Sequence, residues 1–130
     1  FVVCGKQTID TAADVKRGNI DMAKARVYFS KEISPEIVVK MYERLGIDLP
    51  GKVAVKVHSG ERGNQNFLRP EFWKPMVDRV NGTIVECNTA YGLSRSATAE
   101  HYQVAEDHGF TEIAEFQILD EYGSVEEADA

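Results

Sequence analysis

The 130-residue chain has only two cysteines, Cys4 and Cys87. Two cysteines so far apart make no disulfide framework. They also exclude an iron–sulfur cluster held by four thiolates of this chain, so a cluster is expected only outside this segment and no cofactor within it. No apolar run approaches the ~18 residues of a membrane span. A basic excess is missing as well: 15 Lys plus Arg stand against 21 Asp plus Glu, for a net charge of -6. That argues against nucleic acid as a main partner, because phosphate binding needs a basic face. His58, His101 and Cys87 show no metal-ligand spacing. There are no repeats and no low-complexity tract. What remains is ordinary for one globular domain: 43% hydrophobic and 28% charged residues, enough to bury a core.

Residues 1–24 read as a flexible arm, polar from Lys6 to Lys24 and without a sustained period. Phe1-Val2-Val3-Cys4-Gly5 reads in two ways. One is the tail of an apolar signal segment before a lipid-accepting Cys4, although Val3 is larger than the small residue usual there. The other is a gene-start artefact. The first would make the chain an extracytoplasmic lipoprotein touching the membrane only through its lipid anchor; the second leaves it cytoplasmic. Residues 121–130 form an acidic tail.

Between these ends, residues 25–120 alternate strand and helix patterns. Arg26–Phe29 reads as a short strand. Ser34-Pro35-Glu36 is a helix start, with Ile37, Val38, Met41, Tyr42 and Leu45 at helical spacing and Gly46 as the stop. Lys52–Ser59 is a strand with Val53, Val55 and Val57 on one face. Pro70 opens a second helix, whose regular part is expected only from Pro75, because an interior proline removes a hydrogen bond. Thr83–Thr89 is the next strand. Ser96 is expected to cap a third helix running to His108, and Ile113–Leu119 is an edge strand. The order β-α-β-α-β-α-β predicts a three-layer α/β fold with a mainly parallel, Rossmann-like sheet.

Ligands of such sheets bind beyond the carboxyl ends of the strands. Two loops lie there, 60–69 and 90–95. Lys56 and His58 alternate with the valines on one strand, and Glu86 and Asn88 share a face of the next. Buried parallel strands normally carry apolar residues on both faces. The polar groups therefore form either an internal Lys56–Glu86 ion pair or a ligand site. Cys87 reads as a small buried hydrophobe, and His101 as a satisfied core histidine or a functional group near the same edge.

The runs Gly51–His58, Gly60-Glu61, Gly63-Asn64, Leu68–Glu71, Glu86–Gly92, Ser94-Arg95 and His101…Asp107–Phe110 together resemble the domain-of-unknown-function 362 family. The resemblance covers about residues 25–120. It implies kinship with iron–sulfur-associated proteins and, for some members, exported lipoproteins. The alternating plan is also similar to the N-terminal domain of nickel-dependent lactate racemase, at the level of fold alone. Two functions follow as expectations. One is a domain binding a small anionic molecule, part of an enzyme completed by other residues, through Lys56, His58, Glu61, Asn64, Glu86, Asn88, Tyr91, Ser94 and Arg95. There Lys56 and Arg95 would hold the anion, and His58 or Glu86 would act as acid or base. The other is a non-catalytic interaction or accessory module of a redox protein or surface lipoprotein. Oligomeric state is not legible.

Overall fold

A computed structural model describes residues 27–122. The arm over 1–24, Cys4 and most of the acidic tail lie outside the described residues. The first helix, α1 (Pro35–Leu45), forms as its sequence dictates. The Ser34 hydroxyl accepts the Ile37 N–H at 3.3 Å, Pro35 supplies a ready φ at the first position, and Gly46 stops the helix in the left-handed region at φ 64°. These devices satisfy backbone groups that a helix end leaves free.

Three strands follow, each reached through a helix: β1 (Val53–Lys56), α2 (Pro70–Val80), β2 (Gly82–Glu86), α3 (Thr98–Asp107), a one-turn α4 (Phe110–Ile113) and β3 (Phe116–Ile118). The sheet order is β1-β2-β3 and both pairings are parallel. The α/β class, the parallel sheet and the alternating β-α plan therefore match the expectation. The helices α2 and α3 lie on the same face, since Val77 and Ala105 join one core cluster, as two crossovers of the usual right hand in one direction require. Val53, Val55, Val57, Ile84, Phe116 and Ile118 on that face pack with Val77, Ala105 and Phe110 into the core. On the opposite face Ala54, Lys56 and Gln117 are exposed, while Val85, flanked by Lys56 and Gln117 in the register, is buried. The first helix lies against α2, tied by an Arg79 Nε–Glu43 Oε1 ion pair at 3.0 Å, and no α1 residue is fully buried.

Several details differ from the pattern reading. Val27–Phe29 form no strand; Val27 is 86% and Phe29 81% exposed. Such a run needs a neighbouring strand to pair with, and none of the described strands lies beside it. The second helix is regular from Pro70 through Pro75. Pro75 lacks only the N–H that would reach the carbonyl of Glu71, so one first-turn bond is lost and the helix continues. The third helix starts at Thr98 with Ala97 as its cap. The Ser96 hydroxyl donates instead to the Leu93 carbonyl at 2.8 Å. Gly109, at φ 83°, ends the turn after α3 and lets Phe110 swing into the core through α4, which shortens the last strand to three residues. Cys87 is exposed rather than buried.

Candidate functional site

The carboxyl ends of β1 and β2 lie side by side, and the loops 57–69 and 87–97 meet above them. At the centre is Glu86, only 2% exposed. Its Oε2 accepts from Lys56 Nζ at 2.6 Å. Its Oε1 accepts the Ser59 N–H at 2.7 Å, the Ser59 hydroxyl at 3.1 Å and Arg95 Nη1 at 3.0 Å. Burial alone would raise the Glu86 pKa. The Lys56 ammonium, the Ser59 N–H and the Arg95 guanidinium outweigh it and hold the carboxyl below its usual value.

Alternation puts Lys56 with His58 and Glu86 with Asn88, and all four are expected to point into one cleft at the carboxyl edge. The register corrects this. Lys56 pairs with Val85, and so leaves the sheet on the face opposite to Glu86. The two side chains meet because both strands end there. Lys56 curls over the carboxyl edge, with its Nζ also donating to the Val57 carbonyl at 2.7 Å, and its side chain stays 43% exposed.

Arg95 is the second centre, 3% exposed. Its Nε donates to Glu61 Oε1 at 2.8 Å and its Nη1 to Glu86. Burial opposes its charge, but the two carboxylates more than compensate and raise its pKa. Glu61 in turn accepts from the Ser94 hydroxyl at 2.6 Å; with Arg95 this overcomes its own desolvation and lowers its pKa. The Arg62 N–H donates to Ser94 Oγ at 3.2 Å, so Glu61 and Ser94 stitch the two loops together.

The third guanidinium nitrogen is different. Arg95 Nη2 faces His58 Nε2 at 3.3 Å. The other nitrogen of that ring, Nδ1, accepts the Gly60 N–H at 3.0 Å. Both neighbours of the imidazole are thus donors. An imidazole carries a proton on at least one nitrogen. With a donor on each side and a proton on at least one ring nitrogen, one of the two contacts sets N–H against N–H; if the Gly60 N–H holds Nδ1 bare, that contact is the one between Nε2 and Arg95. Among the described residues no oxygen accepts from Nη2 or from Nε2. One N–H is therefore left without an acceptor where the buried Arg95 guanidinium meets the exposed His58 ring.

Gly60 makes this arrangement. Its φ is +86°, and a Cβ there would lie 2.5 Å from Phe67 Cδ1. Glycine alone fits both conditions. Phe67 stacks on His108 with centroids 4.4 Å apart, and His108 Nδ1 donates to the Ser59 carbonyl at 2.7 Å. Behind Ser59, the fully buried His101 has Nε2 3.4 Å from the Ser59 hydroxyl and Nδ1 3.2 Å from Asn88 Oδ1. Burial is the main cause that pushes the His101 pKa down, which makes it a neutral, partnered core histidine. Asn88 is itself held by Thr98 Oγ1 at 2.9 Å and, through its N–H, by Asp120 Oδ1 at 2.9 Å.

Of the residues singled out from sequence, Lys56, His58, Glu61, Glu86, Ser94 and Arg95 share one network, and Asn88 joins it through His101 and Ser59. Asn64 shapes the loop: its N–H donates to the Glu61 carbonyl and its side chain accepts from the Asn66 N–H. Tyr91 is 56% exposed on the outer loop. Sequence reasoning missed Ser59, Gly60, His108 and Asp120. Ser59 had a usable signal, because it continues the inward alternation Val53, Val55, Val57. Among the described residues no group of three His, Cys, Asp or Glu side chains could hold a metal ion, and two cysteines do not suit a four-thiolate cluster.

The model for the family described as "Domain of unknown function (DUF362)" matches residues 53–126. The chain belongs to this family. The match begins at β1 and takes in both loops of the network, α2, α3 and β3. No curated protein matches the chain, and no solved structure does.

Proposed function

We propose that the carboxyl edge of the sheet binds a small anionic ligand at Arg95 and His58. The observation that carries this reading is the 3.3 Å contact of Arg95 Nη2 with His58 Nε2, which sets donor against donor when the Gly60 N–H holds Nδ1 bare. An anion oxygen seated against both converts a donor–donor clash into two charge-assisted or neutral hydrogen bonds. Lys56, 43% exposed and with only part of its donor capacity used, lies on the same rim. Glu86, Glu61 and Ser94 act beneath it, holding the guanidinium and the two loops still. Glu86 is spent on that task, so His58 is the better placed acid or base for any chemistry at the rim.

The test is a thermal-shift series at constant ionic strength in a chloride background. At least one small oxyanion raises the melting temperature of the wild-type chain in a saturable way. His58→Ala, an exposed position, keeps the fold and loses that rise. No saturable rise with any oxyanion would sink the reading.

A second reading, a non-catalytic interaction module, draws on one observation. Parallel sheets are normally covered on both faces, yet Ala54, Lys56 and Gln117 are exposed on one. Under that reading Ala54→Arg abolishes an assembly seen by light scattering and leaves the melting temperature of the isolated chain unchanged.

A further inference from the structure

We infer that the ligand of the Arg95–His58 pair is an organic monocarboxylate, and that phosphate and sulfate dianions are disfavoured there; this rests on the anion-binding reading above. The first argument is charge. The network holds two cations, Lys56 and Arg95, and two carboxylates, Glu61 and Glu86. The guanidinium that would meet the ligand already has one carboxylate on Nε at 2.8 Å and another on Nη1 at 3.0 Å. Its charge is largely answered from behind. A single negative charge in front of Nη2 is tolerable, but a second would face the buried carboxylate of Glu86 and the partly buried one of Glu61.

The second argument is the number and shape of the donors. Arg95 Nη2 and His58 Nε2 lie side by side, and Lys56 Nζ is the only other cation of the network that reaches the rim. That set suits a flat two-oxygen group received edge-on. A tetrahedral dianion with four oxygens is normally wrapped by more donors, such as a run of backbone N–H groups. Here the Ser59 and Gly60 N–H groups are already committed, to Glu86 and to His58.

The third argument concerns the rest of the ligand. The loop that carries Ser94 and Arg95 also presents Tyr91, 56% exposed, and Leu93, 55% exposed. Tyr91 is near enough to Arg95 to act on its charge, and the two side chains offer apolar surface for the carbon body of an acid whose carboxylate enters past the exposed His58 ring.

The experiment uses the full chain at pH 7.5 and constant ionic strength, with acetate, benzoate, inorganic phosphate and sulfate as probes and calorimetric titration as readout. The inference expects benzoate to bind at least tenfold more tightly than phosphate or sulfate, acetate to lie between, and His58→Ala to weaken benzoate about tenfold or more. Phosphate or sulfate binding as tightly as benzoate, with the same loss in His58→Ala, would overturn the carboxylate assignment and leave the anion site standing. No His58-dependent binding of any of the four would overturn the anion site and this inference with it.

Discussion

Replacing Glu86 by alanine removes the carboxylate on which Lys56, Ser59 and Arg95 converge. The partners do not suffer equally. Lys56 is 43% exposed and can turn to water, so its share of the loss is small. Arg95 is 3% exposed and keeps only Glu61, while the buried Ser59 N–H loses its acceptor. Stripping one partner from a buried charged pair costs about 3–5 kcal/mol. The orphaned N–H falls within that range rather than adding to it, because the network loosens as one unit. Glu86→Gln is a gentler change. Its amide oxygen still accepts from Ser59 and Arg95, while the amide nitrogen faces Lys56, which loses its acceptor and turns to water; with the lost charge this costs about 1.5–3 kcal/mol. The assay is urea unfolding followed by far-ultraviolet circular dichroism and by the fluorescence of Trp73, the single tryptophan. The expected order is wild type, then Glu86→Gln, then Glu86→Ala, with the m-value unchanged. A loss below about 1 kcal/mol for Glu86→Ala at constant m would refute the view that Glu86 anchors both loops.

Lys56→Met costs less than either Glu86 change, about 1 kcal/mol by the same unfolding assay, because Arg95 and Ser59 still satisfy Glu86 and the lysine is partly solvated. Gly60→Ala is destabilising by about 1–2 kcal/mol through its left-handed backbone alone, with more from displacing Phe67. It also weakens anion binding, since the backbone shift moves the Gly60 N–H off His58 Nδ1; titration with and without the substitution checks this. Acid lowers stability in two stages. The folded pKa of His101 is depressed, so the unfolded chain takes up its proton first and stability begins to fall as pH drops through about 6.5. Glu86 and Glu61 are also depressed. Their contribution is fully present above about 4.3, the usual carboxylate value, and is lost as pH falls through their lower folded values. Urea midpoints measured from pH 8 to 3 show both stages, and His101→Gln removes the first.

Local signals carried much of this fold. Ser34, Pro35 and Gly46 delimit α1 in the chain and in space, because capping is decided by a few adjacent residues. The valine alternation of β1 likewise predicts the core face. Val27–Phe29 misled because apolar residues announce a strand without supplying its partner. Ser96 misled because its hydroxyl had a nearer acceptor in the Leu93 carbonyl. The site was half legible. Polar residues at two strand ends marked the edge, and Lys56, His58, Glu61, Glu86, Ser94 and Arg95 do meet there. Alternation could not show that Lys56 reaches Glu86 from the opposite face, since a long side chain at a strand end is free to curl. Nor could it show that the Gly60 N–H reaches back to His58, two residues away, and so gives the ring a donor on either side.

The protonation of His58 tests the central claim most directly. Long-range proton–nitrogen NMR on chain labelled with ¹⁵N at histidine reads which ring nitrogen carries the proton. The account predicts a bare Nδ1, held by the Gly60 N–H, and a protonated Nε2 whose resonances move on titration with benzoate while Nδ1 stays put. A bare Nε2 that accepts from Arg95 and does not respond to any anion would contradict it, and would make the Arg95–His58 contact a closed structural pair.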